Sequence, residues 1–180
     1  MTALLSLYDR LFGSFERFAP ALVPTLARLV FAGVLLLYFW GSAYTKVGDG
    51  IGGLFSLSTG AYAQIFPKAF EAAGYNAANL TLFHKLVALA GTWAEFLLPA
   101  AIVLGVFTRA AALGMIGFVL VQSLVDISGH GADAATRGAW FDRASDALIL
   151  DQRAFWVFLL LVLFLRGAGP ISVDRFFGRV

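Results

Sequence analysis

Residues Leu80–Gly105 read LTLFHKLVALAGTWAEFLLPAAIVLG, and the interpretation of the whole chain depends on them. The stretch is long and apolar enough to cross a bilayer, which takes about 20 such residues. Glu95 lies near its middle, and because an ionisable group is costly at that depth, it is a candidate functional residue. One helical face carries small and polar residues, namely His84, Ala88, Gly91, Thr92, Glu95 and Pro99. Small residues let a neighbouring helix approach closely, so this face is expected to look into a helix bundle.

The composition is typical of an integral membrane protein. Of the 180 residues, 60% are hydrophobic and 13% are charged, and the mean hydropathy is +0.83. Soluble domains average about 45–50% apolar and about 25% charged residues. The formal charge of +2, with no basic patch among aromatic residues, argues against a nucleic-acid partner. Because the chain has no cysteine, it has no disulfide, iron–sulfur cluster or cysteine nucleophile.

The hydrophobic pattern predicts an all-α integral membrane four-helix bundle that forms a single domain over residues 1–180. Residues 1–22 are amphipathic, which predicts an interfacial helix, although a simple lead-in packed on the bundle fits the pattern equally well. Pro20 and Pro24 are expected to open the first crossing, because proline is tolerated in the first turn of a helix. The crossings are predicted at about residues 25–44, 81–105, 109–126 and 148–166.

Two long connections join these crossings. Residues 48–79 are rich in glycine and aromatic side chains, which predicts short interfacial helices folded over the mouth of the bundle. Residues 127–152 are rich in charge, and short interfacial helices are expected in this connection as well. Thr108 is a candidate N-cap of the third crossing, and Ser172 is a candidate N-cap of a short helix in the tail.

The distribution of Lys and Arg favours a multi-pass protein with both termini in the cytoplasm. The side that holds the termini has seven of these residues and the other side has six, so the margin is narrow. The seven are Arg10, Arg17, Arg28, Arg109, Arg166, Arg175 and Arg179. Acidic residues are fewer on this side than on the other, which agrees with the same orientation.

Several pieces of the sequence together resemble the DoxX family of small bacterial membrane proteins. They are similar to its first helix, to its second helix with the following turn and third helix, and to its tail. In chain order the pieces are Arg28-Leu29 with Gly33, Gly41 and Lys46, then Glu95 followed by LGVFTRAAAL at 104–113, and GAGPISVD at 167–174. The two long connections match this family poorly.

The resemblance implies a four-helix membrane bundle in the bacterial inner (cytoplasmic) membrane. Members of the family are linked to thiosulfate:quinone oxidoreductase and to membrane complexes of redox and stress enzymes. A quinone-like molecule is therefore the candidate ligand, and no covalently bound cofactor is expected. The implied partners are the lipid bilayer and another membrane or soluble redox protein, and a homo-oligomer is a further option.

Glu95 is the first candidate for chemistry. A carboxyl group at mid-membrane could relay a proton or bind a quinone head group, or it could bridge two helices as a packing bond. No basic residue is expected at its depth, because Lys46 is placed about half a membrane further out; the neutral acid is therefore predicted. Lys46, Gln122 and Asp126 could line an outward-facing cavity together with Glu95. Alternatively, Lys46 and Asp126 are helix-end charges that pair with each other.

Trp93 and His84 complete the predicted ligand-binding set, which is Lys46, His84, Trp93, Glu95, Gln122 and Asp126. His84 lies on the same face as Glu95 but about three turns away, roughly 16 Å at about 1.5 Å per residue. It could mark the mouth of a polar path or lie with Lys85 at the membrane interface. His130 and Asp133 carry atoms that can bind metal, but two ligands do not make a site, so no metal site is predicted.

Two functional hypotheses follow. The chain is either a membrane subunit of a redox or stress-response system, which binds a quinone-like molecule near Glu95 and docks a partner enzyme, or a non-enzymatic scaffold or assembly factor. With no cysteine and two histidines, the chain is expected to carry no redox centre of its own. Any enzymatic role is then that of a subunit of a quinone-linked oxidoreductase. A small transporter has less support, because the sequence has no evident inverted repeat.

Overall fold

The computed structural model describes residues 2–178, and their regular structure is helical, as predicted. Within this range the extended pairing is limited to an isolated antiparallel bridge between Val47 and Leu57. The α-helices are α1 (Thr2–Phe31), α2 (Leu37–Tyr44), α3 (Thr59–Ile65), α4 (Pro67–Ala72), α5 (Leu82–Leu104), α6 (Thr108–Leu124), α7 (Ala134–Arg137), α8 (Gln152–Arg166) and α9 (Val173–Phe176).

Helices α1 and α2 are joined without a loop by a π-helical segment, Ala32–Leu36. Pro20 and Pro24 lie inside α1, so the prediction that they open the first crossing is wrong. Each proline removes one backbone donor, and membrane helices tolerate this loss where neighbouring contacts hold the backbone. Pro24 has such contacts, because it is buried against the tail beside Gly169.

The N-terminal part of α1 exposes both its apolar and its charged side chains. Tyr8, Phe12, Phe15 and Phe18 are among its exposed aromatic residues. The helical run from Thr2 to Tyr44 is about 65 Å long at about 1.5 Å per residue, roughly twice the thickness of the hydrocarbon core. A single straight crossing of the hydrocarbon core therefore accounts for only about half of this run. The position of the N-terminal part of α1 in the membrane surface stays a prediction.

Among the described residues, three helical segments are long and apolar enough to cross a membrane, which indicates a membrane protein. They are Phe15–Tyr44, Leu82–Leu104 and Thr108–Gly129. The last of these includes α6 and a π-helical continuation, Val125–Gly129. Helix α8 has 15 residues and begins at Gln152, later than the fourth predicted crossing, because residues 148–151 form turns.

One hydrophobic core joins α1, α5, α6 and α8. Helix α8 packs against α6 and α1, and α5 packs against α6 and α2. The largest fully buried side chains of this core are Phe31, Leu35, Phe39, Ile102, Met115, Val119, Leu160 and Leu163. The apolar residues that recur along all four segments thus pack together in one core.

Short helices occupy both long connections, as predicted. Between α2 and α5 the chain forms a 3-10 turn at Ile51–Leu54, then α3 and α4, then a 3-10 turn at Ala77–Asn79. Tyr62 and Phe70 pack with Leu80 and Ala88 in a second apolar cluster. This cluster fixes α3 and α4 over the beginning of α5.

At the opposite end of the molecule, Arg28 holds α1 to α5 and to the tail. Its guanidinium donates to the carbonyl oxygens of Ile102 at 2.9 Å and Val103 at 2.5 Å, in the last turn of α5. It also donates to Ala168 O at 3.0 Å and to Ile171 O. The last carbonyl groups of a helix have no intrahelical donor, so Arg28 supplies what the end of α5 lacks.

Asp174 caps α6 from the tail. Its carboxylate accepts from Phe107 N at 2.7 Å and from Thr108 N at 2.8 Å. The predicted N-cap role of Thr108 is wrong, since its buried hydroxyl has no hydrogen-bond partner among the described residues. The predicted cap at Ser172 is confirmed, because its Oγ accepts from Arg175 N at 3.2 Å.

Candidate functional site

A cavity of about 430 Å³ lies between α5 and α6, below α3 and beside the end of α2. Most of its wall at the depth of the spans is apolar or glycine. The cavity residues are Ser42, Lys46, Gln64, Ile65, Val87, Ala90, Gly91, Ala94, Glu95, Leu98, Gly114, Gly117, Phe118, Val121, Gln122, Val125, Asp126 and His130. Lys46, Glu95, Gln122 and Asp126, four of the six predicted ligand-binding residues, are among them.

The polar end of this cavity is an ion pair between Lys46 and Glu95. Lys46 Nζ lies 2.9 Å from Oε2 and 3.1 Å from Oε1 of Glu95. Only 3% of Lys46 and 4% of Glu95 is exposed. The prediction that no basic residue lies at the depth of Glu95 is therefore wrong.

The direction of the Lys46 side chain explains why its depth was predicted wrongly. Lys46 follows the end of α2, but its side chain folds back along the helix, where Nζ also donates to Ser42 O at 3.1 Å. The middle of α5 is level with this turn, since Trp40 Nε1 donates to Phe96 O at 3.1 Å. A lysine at a membrane-helix end usually extends toward water, and here it finds its acceptors inside the protein instead.

Ser42 completes the polar cluster and was missed by the sequence prediction. Its Oγ lies 2.6 Å from Lys46 Nζ and donates to Glu95 Oε1 at 3.4 Å. The available signal was the four-residue spacing of Ser42 and Lys46, which places two side chains on one helical face. We use the name polar floor for Ser42, Lys46 and Glu95.

Gln122 and Asp126 line the cavity from α6 and its π-helical continuation. Gln122 Nε2 donates to Tyr38 Oη at 3.0 Å, while its buried Oε1 has no partner among the described residues. Asp126 pairs with Arg153 at 2.5 Å, so the alternative of a Lys46–Asp126 pair is wrong. Arg153, which sequence reasoning did not select, is buried and also donates to Ser123 Oγ at 3.0 Å.

His84 and Trp93 do not line the cavity. His84 lies in the first turn of α5, where Nδ1 is 2.7 Å from Thr81 Oγ1 and the ring packs edge-on against Phe66. Trp93 Nε1 donates to Leu54 O at 3.1 Å, and its ring packs against Phe55. Both side chains therefore hold the connection between α2 and α5 against α5.

His130 lines the cavity beside α3. Its Nε2 is 2.9 Å from Gln64 O, so this contact links the two long connections. Asp133 instead caps α7, accepting from Thr136 N at 2.7 Å. That backbone donor stabilises the carboxylate and holds the pKa of Asp133 below its usual value.

The wall formed by α5 and α6 is open at the depth of the membrane spans. Val87, Ala90, Gly114, Gly117 and Val121 are exposed although they line the cavity. A Cβ atom added at Gly117 would meet nothing within 4 Å. The cavity can therefore be reached sideways, from the hydrocarbon that surrounds a membrane helix.

Chemically, this arrangement suits an amphipathic molecule. The apolar walls can hold a hydrocarbon or ring system, and the polar floor offers a hydrogen-bonding group of zero net formal charge. Small-molecule sites generally combine a mostly apolar cavity with a few fixed polar groups in this way.

Comparison with family models, curated proteins and solved structures gave no match to this chain.

Proposed function

We propose that this protein binds a lipid-soluble, quinone-like molecule in the cavity between α5 and α6. The observation that carries the proposal is that a cavity open at membrane depth ends on the buried pair Lys46–Glu95. Intramembrane ionisable residues are expensive, so such a pair facing a cavity is a functional candidate. A quinone has both the apolar body and the small polar head that the cavity suits.

The proposed architecture is a four-helix bundle, with α8 as the fourth crossing. Its 15 residues span only about 22 Å, less than the roughly 30 Å of a hydrocarbon core. Ala147 and Ile149 are buried just before it and extend its apolar surface outward. Arg166 lies in its last turn, where a long basic side chain can reach the interface, while Arg153 at the other end is buried in its pair with Asp126.

We further propose that the chain is a DoxX-like protein of the bacterial inner membrane, with both termini in the cytoplasm. Arg28, Gly105 and Asp174 carry the resemblance in three separate segments, and they lie together at one end of the molecule. Together they join the end of α5, the start of α6 and the tail, which explains why these residue types occur together. Arg28, Arg109, Arg166 and Arg175 lie toward this same end, which supports placing it on the cytoplasmic side.

The proposed role is that of a membrane subunit that presents the bound molecule to a partner enzyme. In this proposal the electron acceptor or donor belongs to the partner, because without cysteine the chain has no thiol or iron–sulfur centre. The second candidate is a membrane scaffold or assembly factor without small-molecule chemistry. The exposed aromatic row of α1, with Tyr8, Phe12, Phe15 and Phe18, favours this alternative because it could bind another protein.

Purification in a mild detergent, followed by mass spectrometry of extracted lipids and copurifying proteins, tests the two candidates. Ligand binding predicts a stoichiometric quinone, or its reduced quinol form, with the wild-type chain and its loss in Gly117→Leu, which adds a large side chain at a residue that lines the cavity. Gly41→Leu is the matched control, because Gly41 is exposed, helical and outside the cavity. A stoichiometric protein partner without quinone would favour the scaffold.

A further inference from the structure

We propose that the polar floor selects ligands whose head group donates a hydrogen bond, such as a quinol or another phenol, over ligands that only accept one. This inference rests on the proposed function, because it names the chemical class of molecule that the same cavity takes. It follows from counting the donors and acceptors that the polar floor leaves unused.

The donors of the polar floor are already engaged. An ammonium group has three N–H donors. Four oxygen atoms lie within hydrogen-bond distance of Lys46 Nζ, two from Ser42 and two from Glu95, at 2.6–3.1 Å. The hydroxyl proton of Ser42 is directed at Glu95 Oε1. A ligand that only accepts hydrogen bonds must therefore displace one of these contacts.

The acceptors of the polar floor are not all engaged. A carboxylate offers about four lone-pair sites. Glu95 Oε1 receives Lys46 and, at 3.4 Å, Ser42, whereas Oε2 receives Lys46 alone. An O–H or N–H group of a ligand can therefore bind Glu95 Oε2 while the ion pair stays intact.

Gln122, another cavity residue, adds no acceptor to the cavity surface. Its amide nitrogen donates to Tyr38, and its amide oxygen is fully buried. The selection therefore depends on the polar floor alone. The ion pair has no net charge, which restricts the choice of ligand further. An anionic head group would gain no net charge attraction from it.

The test uses 4-nonylphenol and its methyl ether, 4-nonylanisole, which share an apolar body and differ in the O–H donor. Binding is measured by calorimetry in detergent micelles that contain the full chain, with the partition of each probe into empty micelles subtracted. We expect the phenol to bind roughly tenfold or more tightly than the ether, the usual size of one hydrogen bond to a charged group.

The double variant Lys46→Met/Glu95→Met assigns the preference to the polar floor. It removes both charges and retains similar volumes, and such replacements of buried ion pairs generally keep the fold. We expect this variant to bind both probes with equal affinity. Gly117→Leu should weaken both probes, while the control Gly41→Leu should weaken neither.

The possible outcomes are distinct. Equal affinity of the two probes for the wild-type chain would overturn the selectivity and leave ligand binding standing. A preference that persists in the double variant would also overturn it, because the O–H group would then bind elsewhere. If neither probe binds the wild-type chain, the inference fails together with the proposed ligand-binding function.

Discussion

Nζ of Lys46 lies 2.9 Å from Oε2 of Glu95, and this buried contact ties the end of α2 to the middle of α5. Each charge compensates the other in a place where neither would be tolerated alone. Glu95 is therefore best described as one half of a pair, and its chemistry depends on Lys46. Any experiment on Glu95 must be designed with this dependence in mind.

Removing one partner of the pair should destabilise the protein far more than removing both. Lys46→Met leaves an unpaired carboxylate and Glu95→Met leaves an unpaired ammonium, and each change should cost about 3–5 kcal/mol. Lys46→Met/Glu95→Met should have nearly wild-type stability. Thermal unfolding in detergent gives all three comparisons, and additive effects of the single changes would contradict a coupled pair.

Helical spacing was enough to predict the part of the site that lies on α5. Glu95 and the small residue Gly91 were placed correctly on a face that looks inward, because both lie on one long helix. The partner of Glu95 could not be predicted in this way. Lys46 belongs to another helix, and its depth depends on whether a flexible side chain points outward or folds back toward Ser42.

For the overall fold as well, the local features were predicted from sequence and the contacts between distant segments were not. Helical periodicity identified every segment of the main core, and the short helices of the connections followed from their turn signals. The capping of α6 did not follow, because Asp174 reaches it from 66 residues away in sequence. Helix α1 also continues through Pro20 and Pro24, and at Pro24 packing against the tail outweighs the local preference of proline.

Arg28 should be essential for stability through its shape as well as its charge. Arg28→Met would remove every donor to the four carbonyl groups that it contacts and should cost roughly 2–4 kcal/mol. Arg28→Lys should restore only part of this loss, because lysine has three donors on one atom and cannot fork between two segments. Chemical or thermal unfolding in detergent measures both variants.

Arg175 offers the control for this prediction. It is exposed, and the hydrogen bond that it donates to Ser172 comes from its backbone N–H. Arg175→Met should leave stability within about 0.5 kcal/mol of wild type. A full restoration of stability by Arg28→Lys would show that charge alone matters at this end of the molecule.

Gly105 should tolerate no side chain, for two separable reasons. Its φ angle of +71° is strained for other residues, and a Cβ atom there would lie 2.5 Å from Ser172 Cβ and 3.0 Å from Arg28 Cζ. Gly74 has a similar φ of +67° but would meet nothing within 4 Å. Gly105→Ala should therefore destabilise the protein by clearly more than the roughly 1–2 kcal/mol expected for Gly74→Ala. Equal losses of melting temperature would mean that the contacts around Gly105 are not tight.

The last prediction concerns the number of crossings, and the absence of native cysteine makes it direct to test. Single cysteines at the exposed positions Ala78, Ala139 and Arg175 are treated with a membrane-impermeant maleimide in intact cells. If α8 crosses the membrane and the termini are cytoplasmic, Ala78→Cys and Ala139→Cys should react at once and Arg175→Cys only after permeabilisation. The inverted pattern would keep four crossings and reverse the orientation. Identical labelling of Ala139→Cys and Arg175→Cys would mean that α8, with its 15 residues, packs against the other helices without spanning the bilayer.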